Sequence, residues 1–245
     1  MSKIKVTVWH ENIHEKTDPR VTALYPNGIH GTIKAFLDVN EDMEVRACTM
    51  DDPDQGLSDE ILDNTDVLIW WGHMGHNQVR DDRVQKVFDR EQSGMGLIAL
   101  HSAHGSKIFG KLLGTRAWEI TWRESDDRSL VWVVEPNHPI AAGLGRYIEL
   151  EKEEMYGEPL LFPRPDEIVF ISWFEGGEVM RSGLTYFRGN GRRFSFQPGH
   201  ETYPSFNNPD VQKVITNSVR WANAGTKPQQ PLNCPPPVAP IAPKN

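Results

Sequence analysis

Two short runs, Val67–Trp71 and Leu97–Leu100, contain no polar side chain. A strand with apolar residues on both of its sides has to be covered on both faces, which is the position of a central strand in a parallel sheet. Between them, Asp81–Gln92 places Val84, Val87 and Phe88 on one helical face. The same alternation precedes them. Ile4–Trp9 reads as a strand, Ile29–Leu37 as a helix with Ile29, Ile33, Phe36 and Leu37 on one side, and Met43–Cys48 as a strand. Leu57–Leu62 reads as a short helix capped near Ser58. This β-α-β-α order predicts an α/β fold: a doubly wound, mainly parallel sheet with helices on both faces.

Leu97–Leu100 stops at His101-Ser102-Ala103-His104-Gly105, and Lys107–Leu113 resumes with helical spacing. A strand turning sharply into a helix is the geometry of a nucleophile elbow, which needs small residues two positions either side of its apex. Around Ser102 those neighbours are Leu100 and His104, both too large. Around His101 they are Ala99 and Ala103, and both fit. The elbow is therefore expected to carry a histidine.

Histidines stand at other strand exits too: His10 and His14, then His73 and His76, then His101 and His104. His30 opens the first helix at the same edge. Ligands of such sheets bind at the carboxyl ends of the strands, so these imidazoles are expected to share one edge.

The second half is less regular. Strands are expected over Leu130–Val134, Ile168–Phe174, Gly183–Arg188 and Arg192–Gln197, and a last helix over Pro209–Ala222. Consecutive strands imply antiparallel additions to the sheet. Ile148–Tyr156 holds the acidic cluster Glu149, Glu151, Glu153 and Glu154. Glu154 is separable from a solvated face, because Met155-Tyr156-Gly157 suggests burial at a turn. His138 reads as a turn residue or a support behind the site, and His14 and His76 as rim residues. One domain is expected over 1–225. The tail, 226–245, is rich in proline and cannot enter helix or sheet interiors. It is expected to pack along the domain or reach a neighbouring subunit, and the broad apolar helix faces suggest a homo-oligomer.

A net charge of -8 argues against nucleic acid as a partner, because phosphate neutralisation needs concentrated Lys and Arg. Cys48 and Cys234 form no CxxC pair, so no disulfide framework is implied. The amino terminus enters a strand without a signal-peptide hydrophobic region, and no apolar run approaches membrane-spanning length. A cytoplasmic location with no membrane partner is the expectation.

Tyr25–Gly31 (YPNGIHG), Trp70–Met74 (WWGHM), Gly94–Ser102 (GMGLIALHS), Glu153–Pro159 (EEMYGEP), Ile171–Val179 (ISWFEGGEV) and Pro198–Pro204 (PGHETYP) together resemble the ThuA-like family, named for trehalose utilisation. The resemblance runs to about Ala222. It implies a flavodoxin-like fold of the class I glutamine amidotransferase type, in which a cysteine occupies the elbow and a histidine and glutamate follow a late strand. His101 falls at the cysteine position and His200 near the histidine position. Without the cysteine, glutamine hydrolysis through a thioester is not implied. The family's name implies a sugar or keto-sugar substrate.

Histidine in place of a thiolate, with further imidazoles around it, points to a divalent metal. Zinc suits neutral imidazole. His30, His73, His101, His104 and His200 are the candidate ligands, with Glu154 as a possible carboxylate, and HExxH is absent. His101, His200 and Glu154 are the candidate catalytic residues, and Tyr156 and Glu201 the candidate substrate contacts. A metal-free version uses His101 and His200 as proton carriers, with Glu154 or Glu201 orienting one of them. A Ser102-His200-Glu201 hydrolase is disfavoured by the crowding around Ser102. Trp70 and Trp71 read as core. Trp118, Trp122 and Trp173 could stack on a sugar, although packing is the simpler role for each. The competing expectation is a non-catalytic sugar-binding or regulatory protein on the same fold.

Overall fold

The structure is a computed structural model, and it describes residues 2–115, 119–223 and 236–239. Nine strands form one sheet: β1 (Ile4–His10), β2 (Met43–Thr49), β3 (Val67–Trp71), β4 (Gly96–Leu100), β5 (Thr121–Val133), β6 (Tyr147–Gly157), β7 (Glu167–Phe174), β8 (Val179–Arg188) and β9 (Gly191–Phe196). The helices are α1 (His14–Thr17), α2 (Pro19–Leu24), α3 (Gly28–Asp38), α4 (Asp59–Asp63), α5 (Asp81–Gln92), α6 (Lys107–Leu113) and α7 (Pro209–Asn223). The strand order is β2-β1-β3-β4-β9-β8-β7-β5-β6. The first five run parallel, and β8, β7, β5 and β6 each join antiparallel to their neighbour.

Alternate residues of the central strands feed two cores. Val67, Ile69, Trp71, Ile98 and Leu100 pack with α3 and α7 through Ile29, Ile33, Val214 and Val219. Leu68, Trp70, Leu97 and Ala99 pack on the other side with α4, α5 and α6 through Leu62, Val84, Val87 and Phe109. Two covered faces explain why these strands contain no polar residue. The expected doubly wound sheet with antiparallel additions is thus the fold. Trp70 and Trp71 are buried in it, as expected.

The differences lie in the second half. β5 begins at Thr121, well before the expected Leu130, because its first residues are mostly polar and exposed. The acidic stretch is a strand, β6. Glu149 and Glu151 face outward, whereas Glu153 and Glu154 are both buried. Glu154 therefore lies within a strand and not at a turn. A register shift between Asp127 and Ser129 on the partner strand accompanies the break in alternation. His138 caps a short turn, its Nδ1 accepting from the Ile140 N–H, and His76 is buried instead of at a rim. The domain boundary expected at 225 and most of the tail lie outside the described residues, as do Trp118 and Cys234. The described part of the tail, 236–239, is exposed. Among the described residues no helix is long and apolar enough to cross a membrane.

Candidate functional site

The carboxyl ends of β1, β3, β4 and β9 share one edge because these strands are parallel. Counting alternations outward from β9 brings the end of β6 and the start of β5 to that edge as well. The β5–β6 ribbon reaches back over it: the Gln197 side chain, just past β9, donates from Nε2 to the Glu154 carbonyl at 2.9 Å. A cavity of about 460 Å³ opens there, lined by His14, His73, Ser102, His104, Glu154, Tyr156, His200 and Glu201.

His101 is the apex of the turn after β4, with φ 50°. That left-handed conformation is costly for a side chain with a Cβ, and it is the conformation an elbow requires. The residue is 2% exposed. Its Nδ1 lies 2.9 Å from the Gln197 carbonyl, which can only accept, so the proton is on Nδ1. Nε2 then faces the Glu154 Oε2 at 3.1 Å and the Tyr156 hydroxyl at 3.2 Å. Burial pulls the imidazole down. The hydrogen bond and charge of Glu154, with Glu153 and Glu201 behind it, outweigh burial and push it up to about 9.

His200 follows Gly199, whose φ of 136° belongs to glycine. The Gly199 carbonyl accepts from the Trp71 indole at 2.9 Å. The Thr202 N–H donates to the His200 Nδ1 at 3.3 Å, and the Thr202 hydroxyl lies 2.9 Å from the same nitrogen and 3.2 Å from Glu124, so Nδ1 is an acceptor. The ring proton is then on His200 Nε2, 3.7 Å from Glu154 Oε2 and 3.6 Å from Glu201 Oε1. Burial, then the charge of His101, lowers His200 to about 4. Burial also opposes charge on Glu154 and Glu201. For Glu154 the hydrogen bond and charge of His101 reverse that. For Glu201 the His73 hydrogen bond and the surrounding imidazoles do so, holding the carboxyl far below its usual range.

The expected metal ligands do not all converge. His30 stands with His10 and Glu15, His73 with His14 and Glu201, and His101 with Glu154 and His200. His104 belongs to none of these groups; its Nδ1–H donates to the His101 carbonyl at 3.0 Å, and burial lowers it to about 4. The expected catalytic residues His101, His200 and Glu154 are together. Tyr156 and Glu201 line the same cavity. Ser102 donates to or accepts from the Tyr156 hydroxyl at 2.8 Å.

Sequence reasoning missed four supports. Glu11 accepts the N–H groups of His73, Met74 and Gly75, each at 2.8 Å, and so shapes the loop after β3. Glu153 accepts from the Gly199 N–H at 2.9 Å, the His200 N–H at 3.3 Å and the Ser205 hydroxyl at 2.6 Å. His14, expected at the rim, hydrogen-bonds His73 at 3.1 Å and sits 3.3 Å from Glu201. Gln197 fixes His101. The only available signal was position: Glu11 and Gln197 directly follow strands that end at the ligand-binding edge.

The architecture is that of the class I glutamine amidotransferase-like proteins. PurLQS from Thermotoga maritima superposes with a TM-score of 0.55 at 13% identity, covering 89% of this chain and 99% of that one. Residues 5–222 match the ThuA family, described as trehalose utilisation, and the chain belongs to that family. A ThuA-like protein from Parabacteroides merdae aligns over 94% of this chain and 93% of its own, with a TM-score of 0.70 and 15% identity. One from Bacteroides uniformis aligns over 90% and 91%, with a TM-score of 0.62 and 14% identity. No curated protein matches the sequence.

Proposed function

We propose that this protein is an enzyme of carbohydrate metabolism that binds a sugar or keto-sugar in the cavity and transfers protons at it, with a divalent cation, zinc by donor type, held by His101, Glu154 and His200. The observation that carries this reading is the way two imidazoles face one carboxylate. Both turn Nδ1 outward to a hydrogen-bond partner and Nε2 inward to Glu154 Oε2, at 3.1 and 3.7 Å. That oxygen is buried, so whatever lies between it and the two imidazoles, proton or cation, is shielded from solvent. One ligand atom from each of His101, Glu154 and His200 lies within 4.8 Å of the other two, close enough for the three to share a cation. Ligands about 2.0–2.1 Å from a tetrahedral ion stand roughly 3.4 Å apart, which fits these separations. His101, fixed by its Nδ1–H on the Gln197 carbonyl, has the usual arrangement of a metal-ligating imidazole.

A cation there would polarise a sugar oxygen as a Lewis acid. The chain's own residues do the rest. Glu201, kept ionised by His14, His73 and His200, is placed to accept a proton or a sugar hydroxyl bond. Tyr156 donates into the cavity, since burial keeps its hydroxyl protonated. With His101 at the apex, and Cys48, in β2, the one described cysteine, thioester chemistry on glutamine has no nucleophile among the described residues. The trehalose-utilisation family supports the substrate class, and the cytoplasmic location is proposed with it.

A second reading replaces the cation by a proton. It is favoured by the 3.1 Å contact of His101 with Glu154, an imidazolium–carboxylate pair that could act as a general acid. Elemental analysis of the purified protein and of His101→Ala decides between them. One ion per chain, lost in the variant, supports the cation. An ion-free wild-type protein overturns it and leaves the proton.

A further inference from the structure

Trp122 is 62% exposed, which is unusual for so large an apolar surface, and it lines the cavity. We infer that it is the platform of a second sugar subsite at the cavity mouth, so that the substrate is a two-ring glycoside with one ring at the histidines and the other on the indole. This rests on the proposed reading that the cavity takes a sugar. Trp122 is paired across the β5–β6 ribbon with Tyr156. Directly opposed residues project to the same face, with Cβ atoms about 4.5–5.5 Å apart. Tyr156 reaches His101 with its hydroxyl, so Trp122 stands beside the reacting end and farther out, on the same wall.

The period of two along β5 puts Ile120, Trp122 and Glu124 on the cavity side, and turns Arg123 away to Asp127 and Glu178. Glu124 and the Asp18–Arg20 pair complete the mouth. An aromatic face bordered by carboxylates and a guanidinium offers a pyranose a surface for its C–H groups and partners for its hydroxyls. The indole packs in neither hydrophobic core, so the fold does not require it.

The test is calorimetric titration of the intact protein, Trp122→Ala and Trp122→Phe with trehalose as the two-ring probe and glucose as the one-ring probe. Trp122→Ala is expected to weaken trehalose binding about five- to tenfold, the order of an aromatic contact. It should leave glucose within about twofold, and Trp122→Phe should recover part of the loss. Unchanged trehalose binding in Trp122→Ala, or an equal loss for both sugars, overturns the second subsite while the sugar reading stands. If the wild-type protein binds neither sugar, the sugar reading and the subsite fall together.

Discussion

Glu153 and Glu154 are neighbours in β6, both buried, and they do opposite work. Glu154 meets His101 and His200 with one oxygen, at 3.1 and 3.7 Å, whereas Glu153 accepts from donors of the loop that carries His200. A strand normally sends consecutive side chains to opposite faces. Here both faces are buried, so one carboxylate can build the site while the next holds its wall in place.

Glu153→Gln is therefore expected to destabilise the fold more than it alters ligand contacts. The substitution keeps the shape but replaces one accepting oxygen by a donor aimed at N–H and O–H groups. Burial raises the Glu153 carboxyl, while His101, the Ser205 hydroxyl and the N–H groups of Glu154 and Gly199 lower it. Losing one such buried bond costs roughly 2–3 kcal/mol. Chemical denaturation should show that loss. A stability within about 0.5 kcal/mol of wild type, the range of ordinary surface changes, would show that the donors are satisfied some other way.

Glu154→Gln separates charge from shape at the site itself. His101 owes its elevation first to Glu154, once burial has been overcome. In metal-free protein the variant should bring the imidazole from about 9 to below its ordinary value of 6.5, because only burial and the more distant carboxylates remain. Titration of the His101 ring protons by NMR reads this directly. Turnover should fall by about 10²–10⁴-fold, the usual contribution of a positioned acid or base. An unmoved imidazole would remove Glu154 as its partner.

Stability of the metal-free protein should peak near neutral pH. His101 is raised in the folded state, so its contribution is complete below about 6.5, the unfolded value, and is lost as pH rises through about 9. His104 and His200 are lowered to about 4, so the unfolded chain binds their protons first, and stability falls as pH drops from about 6.5 toward 4. Melting temperature against pH should show both limbs. His101→Gln should flatten the alkaline one and make the acidic one shallower, because the His101 charge is part of what lowers His104 and His200. An alkaline limb that survives in the variant would assign it to another group.

Much of this was written in local patterns. Val67–Trp71 and Asp81–Gln92 have the bounds their apolar periodicity implies, and Ala99 and Ala103 pointed to His101 as the apex. Those signals are local because strand burial and elbow crowding involve residues close in sequence. The partition of the histidines was not legible. Whether His30 faces His10 or His101 depends on how α3 packs, and α3 satisfies its own period either way. Trp122 looked like core for a similar reason. An isolated tryptophan gives no sign that its strand extends beyond the sheet's covered part. Glu153 was hidden by its acidic neighbours, since the register shift that buries it depends on the partner strand.

The apex supplies a last and sharper prediction. At φ 50° any residue with a Cβ carries strain, about 1–2 kcal/mol for L-residues in the left-handed region. Glycine carries none, although it gains more freedom on unfolding, worth about 0.4–1 kcal/mol against alanine. The two effects oppose each other, and the strain is the larger. His101→Gly should therefore be more stable than His101→Ala by several tenths to about 1 kcal/mol, the reverse of the order at ordinary positions. Both remove the same buried imidazole, so the cavity they leave largely cancels in the comparison. Denaturation curves of the two variants suffice. If alanine is equal or better, the turn relaxes once the imidazole is gone, and the strained backbone is imposed by His101's bonds to Gln197 and Glu154 and not by the strand-to-helix turn.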